Sequence, residues 1–277
     1  MKTLRIIGLS IASAFMLMSC EKDNLQENTD PSSPQANSFK VRMTDNPGDY
    51  AALDVELTSV QAYNSRIGWV VLDSSVQSMN VLDYMNGAET ELAYVTEADS
   101  GNYSQLKFVF DPEATLKLHD NYELGELALV GSQEVTLNMQ GSNEVFVEID
   151  ETVNENKGVS VLVDFNVAQS VVYNNDGTFK YKPVINQVKN QYSGVKGQIT
   201  TMTDASVMLT NGSDTLSTFL SQNGEFMFKG TEEGIYTLVV DPATKELQNG
   251  AEKFTVDNIV VYEGQVTFLG EISAQGQ

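Results

Sequence analysis

Two tandem antiparallel β-sandwich domains, set behind a signal peptide and a tether, are the all-β architecture this sequence predicts. Three observations lead there. Apolar residues recur with a period of two in short runs, the signature of strands with one buried face. Gly, Asn, Asp and Pro bound those runs, as they bound antiparallel strands. The 277 residues are about two domains' worth of chain at roughly 150 residues each. With 41% apolar residues the chain can fill two cores, so its acidity is not that of a disordered polymer.

The elements follow in chain order. Residues 1–19 read as a lipoprotein signal peptide: Lys2 and Arg5 give a positive start, and residues 6–18 form an apolar stretch short for a bilayer span. Leu17-Met18-Ser19-Cys20 is a small-residue cleavage box ending in the only cysteine. That box resembles the lipobox of bacterial lipoproteins, which implies acyl chains such as palmitate on Cys20 and attachment to a membrane through them. Each buried CH₂ contributes ~0.8 kcal/mol, so two or more chains anchor stably. Residues 20–38 are polar, contain Pro31 and Pro34 and lack an apolar period, as expected of a flexible tether. The acidic residues after Cys20 resemble the surface-export signals of Bacteroidetes-type lipoproteins, which implies display on the outer face of the outer membrane.

Residues 39–190 are expected to form the first β domain. Phe39, Val41 and Met43 alternate with polar residues, as do Leu53, Val55 and Leu57, and later Val159, Val161, Val163 and Phe165. Residues 89–98 suit either one short helix or a loop. Residues 194–274 form the second domain, with about seven strands at 195–199, 205–209, 215–220, 226–228, 235–240, 254–261 and 266–272. Residues 174–177 and 222–225 supply turn residues that tolerate positive φ.

Two resemblances attach to these segments. Gly197-Gln198-Ile199, Ala205-Ser206-Val207, Asn223-Gly224-Glu225-Phe226, Gly234-Ile235-Tyr236-Thr237-Leu238 and Gly264 resemble a carboxypeptidase regulatory-like domain. The resemblance implies a transthyretin-type sandwich that acts as a spacer or binding module without catalytic residues; Leu247-Gln248-Asn249-Gly250 departs from the family's usual Gly-aromatic pair. Residues 39–189 are similar to the lipoprotein family called domain of unknown function 4382. Val41-Arg42-Met43-Thr44-Asp45-Asn46-Pro47-Gly48-Asp49-Tyr50, Gly68-Trp69, Val163-Asp164-Phe165 and Lys182-Pro183-Val184-Ile185 carry that likeness. It implies a lipid anchor and no assigned activity.

Charge and composition exclude several function classes. Sixteen Lys and Arg stand against 38 Asp and Glu, a net charge of −22, and loss of the signal with Lys2 and Arg5 takes it to −24. A phosphate-tracking surface is incompatible with that balance, so no nucleic-acid partner is expected. One His and one Cys leave no multi-histidine or cysteine-cluster metal site, and no Gly-x-Ser-x-Gly elbow occurs. The chain is therefore expected to be no enzyme and to hold no cofactor or metal.

The remaining candidates divide between turn chemistry, core packing and binding. In Asp45-Asn46-Pro47-Gly48-Asp49, Pro47 and Gly48 suit the centre of a type II turn with Asp45 bonding a backbone N–H. The three side-chain oxygens are too few for a Ca²⁺ site, which takes six to eight. Trp69, the only tryptophan, is expected in the core beside its apolar strand. Exposed instead, it would form a stacking platform for a sugar with Tyr63 or Tyr50. His119 reads as a surface histidine, residues 111–113 and 232–233 as chance acidic pairs, and Asp214-Thr215-Leu216 as a strand start that resembles a Bacteroidetes-type O-glycosylation acceptor.

The expected role is that of a non-enzymatic, lipid-anchored binding or interaction module of the bacterial envelope, partnered by a glycan or an envelope protein. A carbohydrate-binding accessory in glycan capture is one alternative. A pilin-like subunit is another, needing a strand released by a cut near Lys40 or Arg42 and donated to a neighbour.

Overall fold

The computed structural model describes residues 34–119, 123–124, 127–128, 133–174, 177–203, 205–242 and 252–273. The signal peptide, Cys20, most of the tether and the 247–250 loop lie outside the described residues. From Pro34 onward the chain forms one compact unit.

Its first part contains β1 (Phe39–Asn46), β2 (Ala52–Asn64), β3 (Gly68–Asp73), β4 (Gln77–Asn80), β5 (Thr90–Val95), β6 (Gly101–Phe110) and β7 (Glu113–Lys117). There follow β8 (Glu123–Leu124), β9 (Leu127–Ala128), β10 (Glu134–Asn138), β11 (Glu144–Val153) and β12 (Val159–Asn166). A helical turn α1 (Val167–Ser170) leads to β13 (Val171–Tyr173), β14 (Phe179–Tyr181) and β15 (Ile185–Gln187). The strands β15-β12-β1-β5 form one sheet; β10-β7-β2-β6-β11, with β3 and β4 also on β2, form the facing one.

Phe39, Val41 and Met43 of β1 point into the space between these sheets, where Leu106 and Phe108 of β6 and Phe165 of β12 meet them, all essentially without solvent exposure. The Phe39 and Tyr103 rings lie 4.8 Å apart in a tilted contact. At ~25 cal/mol per Å² of apolar surface removed from water, these aromatics supply the largest single stabilising contributions.

The second part is a seven-stranded set: β16 (Gly194–Ile199), β17 (Ala205–Thr210), β18 (Thr215–Phe219), β19 (Glu225–Lys229), β20 (Gly234–Pro242), β21 (Phe254–Val261) and β22 (Val266–Ile272). Sheets β19-β16-β22 and β18-β17-β20-β21 enclose a separate core of Val195, Val207, Phe226, Tyr236, Leu238 and Ile259. Each strand falls where the alternation placed one. Gly224 makes the β18–β19 turn at φ +75°, with its N–H donating to the Ser221 carbonyl at 2.8 Å.

Four local expectations need correction. Residues 89–98 are neither helix nor loop: β5 occupies their centre and pairs with β1. The sheets are not purely antiparallel, because β1 runs parallel to β12 and β16 parallel to β22. Each such pair is far apart in sequence, and the intervening strands supply the crossover that parallel pairing requires. Gly48 is not in the left-handed region, so no type II turn centres on Pro47-Gly48. Asp45 and Asn46 instead extend β1, paired with Phe165 and Asn166.

The two parts meet through polar contacts. The Arg42 guanidinium on the outer face of β1 donates to Glu89, Gln191 and Ser160, and Glu89 also accepts from Lys229 of β19. Asn86 donates its side-chain N–H to the Phe219 carbonyl at 2.7 Å and accepts from the Thr218 hydroxyl at 2.8 Å. The Ser217 hydroxyl bonds the Asn46 side chain at 3.2 Å.

Candidate functional site

The outer face of four neighbouring strands carries the most distinctive surface. Cross-strand register sets Trp69 of β3 beside Tyr63 of β2, Tyr63 beside Gln105 of β6, and Gln105 beside Glu148 of β11. The next row runs Val71, Gln61, Lys107 and Phe146 across the same strands. Because side chains alternate faces, these eight share the side away from the core. Trp69 and Tyr63 are each 39% exposed and Phe146 is 48% exposed, whereas their inward neighbours Ala62, Leu106 and Val147 are buried.

The rings touch one another. Tyr63 packs edge-on against Trp69 at 5.4 Å, and Trp69 and Phe146 lie 5.9 Å apart. Strands sit ~4.8 Å apart, so β3 and β11, three spacings apart, are separated by ~14 Å. A ring separation of 5.9 Å therefore means that Trp69 and Phe146 lean toward each other across β2 and β6. The Lys107 ammonium lies over one indole face at 4.9 Å and is ion-paired to Glu144 at 3.3 Å. The result is a low aromatic platform flanked by the planar amides of Gln61 and Gln105, the latter donating to Glu148.

Core packing was the expectation for Trp69, and the structure overturns it. The strand it opens pairs with β2, and its outward positions Trp69 and Val71 are exposed among the described residues. Tyr63 joins Trp69, but Tyr50 does not. Tyr50 packs edge-on against Phe179 at 6.3 Å, and its hydroxyl donates to the Val171 carbonyl at 3.4 Å. Phe146 and Lys107 were missed by the sequence reading. Their signal is the outward phase of β11 and β6, which becomes visible only once the register of those strands is known.

The other candidates disperse. Asp45 points into the core and Asn46 away from it, so alternation keeps them from converging on one cation. Asp49 is exposed and lies 3.7 Å from His119, itself half exposed and at the surface as read. Asp111 accepts from the Glu113 N–H at 2.9 Å, closing a turn. Asp214 accepts from the Thr215 N–H at 2.9 Å, and the Thr215 hydroxyl bonds Thr210 at 3.0 Å at the β17–β18 turn. No group of three or more metal-ligating side chains occurs among the described residues. No helix among them is long and apolar enough to cross a membrane.

One pair of carboxyls, Asp45 buried and Asp164 half-buried, escaped the sequence reading. Both Asp45 carboxyl oxygens are buried without a hydrogen-bond partner of ordinary geometry among the described residues. Burial pushes the Asp45 carboxyl well above the carboxylate range, the charge of Asp164 adds to this, and the Val167 backbone N–H opposes it. On the neighbouring strand burial raises Asp164 to about 7, against a smaller opposing effect from the Asn46 backbone N–H.

Comparison with known proteins identifies the family. Residues 36–183, more than half of the chain, match the family described as "Domain of unknown function (DUF4382)". The chain belongs to the DUF4382 family. The DUF4382 region includes the whole aromatic platform and the Asp45–Asp164 pair. No curated protein matches the sequence. Among solved structures, the chain is similar to the Bacillus anthracis TIE protein at 12% identity and a TM-score of 0.21, covering 88% of this chain. It spans only 41% of that longer protein. It is also similar to the shaft pilin spaA from Lactobacillus rhamnosus GG, at 8% identity and a TM-score of 0.19 over 88% of this chain and 99% of the pilin. The major pilin protein (T-13) from Streptococcus pyogenes is similar at 9% identity and a TM-score of 0.18, over 86% and 98% of the two chains. These scores are too low for any of the three to bear on the chain's fold or role.

Proposed function

We propose that this DUF4382 protein is a non-enzymatic binding protein of the bacterial envelope, attached to a membrane through acyl chains on Cys20 and capturing carbohydrate on the Trp69 platform. One observation carries the reading: three aromatic rings share one solvent-facing side of a sheet, a clustered exposed patch of the kind that marks an interaction site. Aromatic faces suit the apolar C–H patches of sugar rings, and the amides of Gln61 and Gln105, which donate one N–H each to Ser59 and Glu148, have a second N–H and a carbonyl oxygen to offer hydroxyls. The lipobox ending in Cys20 supports the anchor, and the polar stretch behind it supports display away from the bilayer.

Affinity electrophoresis through gels containing polysaccharide tests the binding. Trp69→Ala is expected to weaken retardation at least about tenfold, or ~1.4 kcal/mol, with far-ultraviolet circular dichroism unchanged. Retardation equal to that of the wild type would remove the platform from the reading. Labelling cells with radioactive palmitate tests the anchor separately: Cys20→Ser is expected to lose all label, and a fully labelled variant would refute acylation there.

A further inference from the structure

We infer that the Trp69 platform selects uncharged polysaccharides and rejects uronic-acid or sulfated ones. This rests on the reading of that face as a carbohydrate site and adds its chemical preference. The argument is electrostatic. A site for an anionic glycan needs a cation free to meet a carboxylate or sulfate; of the two cations near this face, Lys107 within the rows is charge-paired, and Arg66 keeps its charge at the turn beyond them. Lys107 lies over the indole and is paired to Glu144. Arg66, at the turn joining β2 and β3, donates to the Ser100 carbonyl at 3.1 Å.

The outward positions of β11 beside Phe146 are acidic: Glu144 and Glu148 flank it two residues either way, and Asp150 follows. The Glu148 carboxylate accepts from Gln105, and that of Asp150 accepts from Asn102 at 3.1 Å. A chain with one negative charge per sugar would bring its carboxylates against this row, on a protein already at −22. A neutral chain meets no such repulsion, and its hydroxyls find both donors and acceptors in Gln61 and Gln105. Acid side chains thus exclude the wrong ligand while the rings hold the right one.

The full chain in detergent, run through gels holding either neutral galactomannan or polygalacturonate at low and high ionic strength, tests this. Retardation by galactomannan is expected to be salt-insensitive and lost in Trp69→Ala and Tyr63→Ala. Polygalacturonate is expected to retard the protein at least about tenfold less at low salt, with the gap narrowing as salt screens the repulsion. Glu144→Gln, which frees Lys107, is expected to raise polygalacturonate retardation while leaving that by galactomannan in place. Equal or stronger retardation by polygalacturonate, lost in Trp69→Ala, would overturn the selectivity and leave the carbohydrate site standing. Retardation by neither would overturn the site itself. A wild-type dimer in sedimentation that Trp69→Ala converts to monomer would assign the face to a second copy and overturn both.

Discussion

Replacing Asp164 by Asn is expected to make the protein more stable at neutral pH and not at acid pH. The carboxyl lies on β12 beside β1, where burial raises it from the ordinary 3.8 to about 7. Between those values the folded state holds a proton that the unfolded state has released, so folding stability falls as pH rises through the window. The contribution is complete below about pH 4 and fully lost once the pH passes about 7. At 1.36 kcal/mol per pH unit, its ceiling is ~4 kcal/mol. Asn removes the titration but keeps an oxygen that can accept from the Asn46 N–H. It also removes the charge that helps to raise Asp45, so the two effects act in the same direction.

Urea unfolding followed by circular dichroism, repeated from about pH 4 to pH 8 on the wild type and Asp164→Asn, gives the difference directly. The many other carboxylates act on both proteins alike and cancel. The difference is expected near zero at the acid end, growing in favour of Asn up to ~4 kcal/mol at the alkaline end. A difference that stays constant across the range, or one that favours Asp above pH 7, would refute the reasoning.

Two further substitutions probe the frame. Glu89→Ala leaves the charges of Arg42 and Lys229 without their carboxylate at a junction where all three side chains are about four-fifths buried. A loss of ~1–3 kcal/mol in urea unfolding is expected, with Glu89→Gln losing less; unchanged stability in both would show that the bridge contributes nothing. Gly224→Ala would place a Cβ 2.1 Å from the Ile199 carbonyl oxygen at φ +75°, whereas Gly264→Ala, at φ +71°, meets nothing within 4 Å. The first is expected to cost more than the ~1–2 kcal/mol of left-handed strain and the second about that much; equal losses in thermal unfolding would refute the steric account.

Much of the fold is legible in the residues because alternation and turn chemistry are local. Phe226, Phe228, Tyr236 and Leu238 announce their strands unaided, and Gly224 announces its turn. Pairing is not local, so the parallel union of β1 with β12 leaves no mark in either run. Asp45 shows the cost of reading locally: beside Asn46-Pro47-Gly48 it looks like a turn residue, yet the ladder to β12 carries the strand through it. The platform was half visible for the same reason. Trp69 and Tyr63 lie on two strands joined by one short turn, while Phe146 reaches them from β11 through β6, and Tyr50 faces another cluster altogether.

The parallel pairing has a mechanical side. Load applied between the two ends of the described chain enters β1 at Phe39 and leaves its eight-residue partner ladder on β12 at Asn166, the diagonally opposite corner. Such a pull slides the strands along each other and strains every rung together, instead of opening them one at a time. The same diagonal recurs between Gly194 of β16 and Ile272 of β22. A pull between the two ends of the described chain would thus meet two ladders loaded in shear.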